Sequence, residues 1–271
     1  MNHTHAGAEV GRHAEGAAGG RVQAGGVIDA ASQADMALEL RGLEAWYGES
    51  HILHGVDLTV RRGEVVTLLG RNGAGRTTTL RAIMGLTGRR KGSIRIGGKE
   101  TIGLPTYRIA PLGVGYCPEE RGIFSSLSCE ENLLLPPMLV KGEAARHAMT
   151  LDELYVMFPN LQERRHSQGT RLSGGEQQML AVARILRTGA NLLLLDEISE
   201  GLAPVIVQSL ARMILTLKAR GFTVVMVEQN FRFAAPLADR FYVMEHGQIV
   251  EDFPARELNA KMPVLNALLG V

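Results

Sequence analysis

The stretch Val65-Val66-Thr67-Leu68-Leu69-Gly70-Arg71-Asn72-Gly73-Ala74-Gly75-Arg76-Thr77-Thr78 joins an apolar run to a glycine-rich turn. Val65 to Leu69 reads as a central strand buried on both faces. After the turn, Thr77 to Leu86 puts Leu80, Ile83 and Met84 on one face, which predicts a helix. Gly70 to Thr78 nearly matches G-x-x-x-x-G-K-[ST], the spacing of a phosphate-binding loop. Glycines let backbone N–H groups close around an anion, and the following helix turns its positive N-terminus toward it. Thr77 offers a hydroxyl to Mg²⁺. One position departs from the pattern: Arg76 stands where lysine is expected. Arginine keeps the charge but is planar, longer and forked. It still grips phosphate through paired N–H groups, so binding is expected to survive. Whether its charge lies where a transition state needs it is a separate question.

Outward from this segment the periodicities change. Leu38, Leu40 and Leu43 predict a first strand, followed by the aromatic pair Trp46 and Tyr47. Val56, Leu58 and Val60 predict a second strand, and Ile94 and Ile96 before Gly97-Gly98 a hairpin. Downstream, Leu192 to Leu195 and Val224 to Val227 read as strands separated by a helix from about Val205 to Arg220. Phe241 to Met244 and Gln248 to Val250 flank His246-Gly247 as a late hairpin, and Leu258 to Leu269 predict a terminal helix. Strands alternating with helices imply a parallel sheet covered on both faces. The segment from about 118 to 172 reads mostly as helix. Ser128 with Glu131, and Ser173 with Glu176, form capping boxes. Leu151, Leu154, Tyr155 and Phe158 form a stripe that Pro159 closes.

A chain of 271 residues with 45% hydrophobic and 21% charged residues has enough apolar material for a core without staples. A formal net charge of +1 gives no electrostatic footprint for nucleic acid. Cys117 and Cys129 show no metal-ligand spacing and read as reduced cytosolic thiols. No apolar run approaches the roughly 20 residues of a bilayer span, and no signal peptide is evident. Residues 1–35 are rich in Gly and Ala and read as a disordered tail, with His3, His5 and His13 as solvated side chains. Met36 sits where the folded pattern begins, so an over-extended start is a working expectation.

Two further motifs carry chemistry. Leu192 to Leu195 ends in Asp196-Glu197, two carboxylates at the carboxyl end of a buried strand, where α/β sheets bind ligands. Leu172-Ser173-Gly174-Gly175-Glu176, followed by Gln177 and Gln178, is a capped helix start with two glycines and hence a second anion site. With the phosphate loop on one side and the paired acids on the other, this motif resembles the L-S-G-G-[QE] signature of the ATP-binding-cassette (ABC) transporter ATPases. The resemblance runs from about Leu38 to the C-terminus.

That resemblance implies an α/β fold: a P-loop NTPase (RecA-like) core with an N-terminal antiparallel β subdomain and an inserted α-helical subdomain. The core is expected at 36–117 and 173–252, the helical insertion at 118–172 and a C-terminal helix at 253–271. ATP and Mg²⁺ are the implied cofactors. Gly70, Arg71, Asn72, Gly73, Ala74, Gly75, Arg76, Thr77 and Thr78 would hold phosphate, and Tyr47, with Trp46 as second candidate, would stack on adenine. Thr77, Asp196 and Glu119 would serve Mg²⁺, with Glu119 standing where many relatives have Gln. Glu197 would polarise the attacking water. Gln229 occupies the place of a switch His; it hydrogen-bonds phosphate but cannot carry a proton. Ser173, Gly174, Gly175 and Glu176 would meet the ATP of a partner subunit in a head-to-tail dimer. Ser199 to Pro204 would fill the dimer-contact loop, with Ile198 replacing a frequent Pro.

Pro118 to Phe124, Gly201-Leu202-Ala203-Pro204 and Val227-Glu228-Gln229-Asn230 together resemble the second ATPase subunit of branched-chain amino acid importers. Implied partners are transmembrane permeases, a second and different ATPase subunit and, indirectly, a periplasmic solute-binding protein, with no nucleic acid. The implied place is the cytoplasmic face of the membrane. Two alternatives stay open at this stage: a regulatory subunit whose hydrolysis Arg76 impairs, and an importer of urea or short amides.

Overall fold

The computed structural model describes residues 35–140 and 147–270. The tail histidines His3, His5 and His13, and the tail reading itself up to residue 34, lie outside the described residues. The chain begins with two long strands, β1 (Met36–Tyr47) and β2 (Ser50–Arg61), paired antiparallel with Leu40 opposite Leu58. It then enters β3 (Val65–Gly70) and helix α1 (Arg76–Ile83). The hairpin β4 (Arg90–Ile96) and β5 (Lys99–Glu100) returns to β1, completing a sheet of order β2-β1-β4-β5. A short helix α2 (Thr106–Ile109) leads to β6 (Val114–Cys117).

Next come α3 (Cys129–Leu134), α4 (Leu151–Met157), α5 (Pro159–Glu163) and the longer α6 (Gly174–Arg187). The second half alternates β7 (Leu192–Asp196), α7 (Pro204–Ala219), β8 (Thr223–Val227), α8 (Phe231–Ala234) and β9 (Arg240–Glu245). It closes with β10 (Gln248–Pro254) and α9 (Leu258–Leu269). The second sheet has the order β10-β9-β3-β8-β7-β6, parallel from β9 to β6 with β10 antiparallel at the edge.

Every residue of β3, β7 and β8 is buried, as strands covered on both faces require. Their alternation divides the core. Leu193, Leu195, Val224 and Met226 pack on the side of α6 and α7, with Leu180, Leu186, Ile214 and Leu217. Leu192, Leu194, Val225 and Val227 pack on the opposite side, with Leu38 and Leu40 of β1 and Leu80 and Ile83 of α1. A third cluster of Leu69, Phe241, Phe253 and Leu265 seats α9. Helix α6 lies so close to β6 that a Cβ at Gly115 would fall 1.8 Å from Ile185 Cγ2. No side chain but hydrogen fits there.

The expected strands and the two long helices lie where the periodicity put them, and both capping boxes form. The segment 118–172 differs from its mostly helical reading. Its described part holds three short α-helices and a short 3-10 segment at Gly169–Arg171, joined by turns and loops. Pro136-Pro137 follows α3 directly and cannot continue it. The helix carrying Leu151, Leu154 and Tyr155 ends at Met157 with Phe158 as its C-cap, closed before Pro159 as expected, and Pro159 then opens α5 in its first turn. Strand β10 runs to Pro254, and the terminal helix occupies Leu258–Leu269 as the pattern predicts, inside the broader 253–271 given to it. Both cysteines are free and buried. Among the described residues no helix is long and apolar enough to cross a membrane.

Candidate active site

The carboxyl ends of β3, β7 and β8 lie side by side, and the residues that leave them build one cleft of about 450 Å³. From β3 comes the phosphate loop. Gly75 sits at φ +107°, and a Cβ there would meet Leu53 Cδ2 at 2.9 Å, so this turn demands glycine. No side chain caps α1 and its first turn holds no acid. The N–H groups of that turn are thereby left for an anion. The loop is braced from outside: Gly247 N–H donates to Ala74 O at 2.8 Å, and Arg71 Nε donates to Leu268 O at 2.8 Å. Arg71 thus spends its side chain on the end of α9, leaving only its backbone to the loop.

Arg76 is 4% exposed. Its Nη2 donates to Glu197 Oε1 at 2.9 Å and to Asn72 Oδ1 at 3.3 Å, while Nη1 is buried with no hydrogen-bond partner among the described residues. Leaving a charged N–H unsatisfied costs more than the roughly 1–3 kcal/mol of a neutral one. A phosphate oxygen is the acceptor this arm lacks, so the residues present fit the anion. Burial holds the Arg76 guanidinium below its ordinary value, against the opposing pull of Glu197, Asp196 and Glu228.

From β7 come the acids. Asp196 is fully buried; Thr77 Oγ1 donates to its Oδ1 at 2.9 Å and Tyr116 OH to its Oδ2 at 3.1 Å. Burial raises the Asp196 carboxyl, and those two bonds pull it back. A hydroxyl and a carboxylate side by side are the hard oxygen donors that suit Mg²⁺. Glu197 adopts φ +48°, a left-handed conformation that a non-glycine residue holds only when its surroundings impose it. Its carboxylate accepts from Arg76 and from Gln229 Nε2, at 3.0 Å to Oε2 and 3.2 Å to Oε1.

The carboxylate oxygens of Glu119, Glu197 and Glu200 lie within 4.8 Å of one another. Glu200 is pushed up to about 7, first by its hydrogen bond with Glu197, then by burial and by the charges of Glu197 and Glu119. Tyr47 lines the cleft and is 38% exposed. Trp46 does not line it: its ring is covered by His51 stacked at 4.2 Å and by the Arg89 guanidinium at 4.2 Å.

The signature segment is elsewhere. Ser173 caps α6, Glu176 Oε2 accepts from Ser173 N–H at 2.7 Å, and Glu176 pairs with Arg164 at 3.4 Å. None of Ser173, Gly174, Gly175 or Glu176 lines the cleft of its own chain.

Tyr116 carries no motif of its own, while Glu200 and Glu228 stood inside the stretches Ser199 to Pro204 and Val227 to Asn230 without a role of their own. Tyr116 and Glu228 sit at carboxyl ends of parallel strands, a signal that position alone could have supplied. Glu228 is 1% exposed, and burial pushes its carboxyl up to about 7 against the hydrogen bonds from Ser199. Below the ordinary value of 4.5 the group is protonated in folded and unfolded chain alike. As pH rises from there to about 7, the unfolded chain releases the proton first. Stability therefore falls across that window and stays lowered above it. Glu228→Gln is expected to abolish this fall and to be more stable than wild type above neutrality by on the order of 3 kcal/mol. Urea unfolding at pH 5 and pH 8 checks it; equal slopes in both proteins would remove Glu228 as the cause.

The family model described as "ABC transporter" matches residues 53–200. The high-affinity branched-chain amino acid transport ATP-binding protein BraG of Pseudomonas aeruginosa is 41% identical over 84% of this chain and 97% of its own. A probable branched-chain amino acid transport ATP-binding protein, LivF, of Archaeoglobus fulgidus is 34% identical over 80% of this chain and 91% of its own. Among solved structures, a dimeric post-hydrolysis state of an ATP-binding cassette bound to ADP and Pi superimposes with a TM-score of 0.70. It is 23% identical and covers 81% of this chain and 99% of that one. With its phosphate loop, paired acids and signature helix on the matching fold, the chain belongs to the ABC transporter family of ATP-binding subunits.

Proposed function

We propose that this chain is the ATP-hydrolysing subunit of an importer for branched-chain amino acids. It would act at the cytoplasmic face of a membrane through permease partners. The observation that carries the reading is the meeting of three features in one cleft: the partnerless Nη1 of Arg76, the Thr77–Asp196 pair, and Glu197 held by Gln229. The likeness to BraG supplies the substrate class.

In this reading the loop N–H groups and Arg76 Nη1 bind the phosphates, and Tyr47 packs on the base. Thr77 and Asp196 hold Mg²⁺, with Glu119 at the rim; the bound ion neutralises phosphate charge. Glu197 orients the water and accepts a hydrogen bond from it. Gln229 has no proton to exchange, so it holds the Glu197 carboxylate in place. Ser173, Gly174 and Gly175 do not line their own cleft and would serve a head-to-tail partner, a second and different ATPase subunit. A regulatory role is the one rival with an observation behind it, namely arginine at position 76.

The test is reconstitution of the chain with its permeases and binding protein in proteoliposomes. ATP-driven uptake of labelled leucine, lost in Glu197→Gln, supports the reading. Hydrolysis stimulated by a solute other than leucine, isoleucine or valine overturns the substrate class. Absence of hydrolysis in the complete assembly overturns the motor role.

A further inference from the structure

Glu228 is a buried acid that the mechanism above does not use. Burying a carboxylate is costly unless its oxygens are satisfied. Here both oxygens are spent on one residue: Oε1 accepts the Ser199 N–H at 3.1 Å, and Oε2 accepts the Ser199 hydroxyl at 2.8 Å. Ser199 is itself 4% exposed and lies two positions beyond Glu197.

The neighbours of Glu228 grip the same turn. The Glu197 N–H donates to Val227 O at 2.9 Å, and Gln229 Nε2 donates to the Glu197 carboxylate. Three consecutive residues leaving β8 therefore hold three points of the turn leaving β7: the Glu197 backbone, Ser199, and the Glu197 side chain. That turn contains the left-handed φ of +48° at Glu197. A non-glycine residue in that region costs of order 1–3 kcal/mol and persists only where surrounding contacts over-determine it. Of the three grips, the one from Glu228 is doubled, both carboxyl oxygens accepting from Ser199, and water-excluded.

We propose that Glu228 is a positioning residue for hydrolysis: through Ser199 it fixes the left-handed turn at Glu197 and thereby the direction in which the Glu197 carboxylate faces the attacking water. The inference rests on the reading of the cleft as the ATP site, and its test keeps the two separable.

The full chain is compared as wild type, Glu228→Ala, Glu228→Gln and Ser199→Ala, with two readouts. Hydrogen exchange of peptides spanning 196–204 needs no nucleotide. Steady-state hydrolysis in the permease complex gives kcat and KM for ATP.

In Glu228→Ala, exchange at the Ser199 amide is expected to rise about 10- to 100-fold, because its buried N–H is left without an acceptor. Its kcat should fall about 10-fold or more, with KM within about twofold, because binding groups on β3 are untouched. Glu228→Gln should restore both, since its amide oxygen still accepts from the Ser199 N–H. Ser199→Ala should fall between.

Unchanged protection in Glu228→Ala overturns the proposal. So does a parallel loss of ATP affinity, or a Glu228→Gln variant as defective as Glu228→Ala. Should Glu228→Ala fail to fold, Ser199→Ala decides: a lowered kcat at wild-type Tm supports the role, and wild-type kcat overturns it. A wild type that does not hydrolyse ATP sinks the ATPase reading, while the exchange pattern still decides whether Glu228 fixes the turn.

Discussion

Glu197→Gln is expected to lower kcat for ATP hydrolysis by about 10²- to 10⁴-fold, the usual range for losing a positioned general base. ATP affinity should be unchanged or tighter. Both halves follow from the hydrogen bonds at that carboxylate. Glu197 accepts from Arg76 and from Gln229, so both of its oxygens already meet donors. A glutamine there offers one acceptor oxygen and turns its NH₂ toward a donor. At least one of the three hydrogen bonds to the Glu197 carboxylate is lost, and the group can no longer take a hydrogen bond from water through a charged oxygen. At the same time the Arg76 guanidinium loses the charge of its hydrogen-bonded anion, leaving the more distant Asp196 and Glu228 to offset it. A buried cation short of counter-charge binds phosphate more strongly. Phosphate release assays in the assembled complex, with calorimetric binding of MgATP beside them, check both. A variant within about threefold of wild-type turnover would remove Glu197 from the role given to it here.

The parts of the site that the sequence exposed are those written as contiguous runs. Gly70 to Thr78 and Leu192 to Glu197 each combine a fully buried strand with the chemistry at its end, so periodicity and motif agree. The capping boxes at Ser128 and Ser173 are equally local, each spanning four residues, Ser128–Glu131 and Ser173–Glu176. What stayed hidden depends on the order of strands in the sheet. Tyr116 reaches Asp196 across 80 positions, and Arg71 reaches Leu268 across 197. Glu228 finds Ser199 because β8 lies beside β7, a pairing that no spacing announces. The overreading of 118–172 has a different origin. Its apolar residues recur at helical intervals, but prolines divide it, and Asn132 holds the chain by accepting from Phe124 N–H and donating to Phe124 O, Leu127 O and Ser128 O. A side chain that satisfies so many loop groups stabilises the turn from Phe124 to Ser128 in place of a continued helix.

Arg76 is where substitution should cost most in affinity. Arg76→Met is expected to weaken MgATP binding about 10- to 100-fold, the equivalent of one charge-assisted hydrogen bond of roughly 1.5–3 kcal/mol. It also leaves Asp196, Glu197 and Glu228 without the cation that offsets them. Arg76→Lys separates charge from shape. In the wild type the fork divides its work: Nη2 rests on Glu197 and Asn72, and Nη1 has no partner among the described residues. Phosphate can therefore be bound while Glu197 remains tied to the same guanidinium. An ammonium is a compact charge that cannot serve both places equally. With phosphate present it moves to the anion and releases the Glu197 carboxylate toward water. Affinity should then stay within a few-fold of wild type while kcat rises by about threefold to tenfold, less than 1.4 kcal/mol in barrier. Steady-state kinetics of the three proteins in one complex decide the matter. A lysine variant slower than wild type would mean that the fork, and not the charge alone, is built into this site: Asn72 and Glu197 would then be placed to aim an arginine, and the departure at position 76 would be matched by its neighbours.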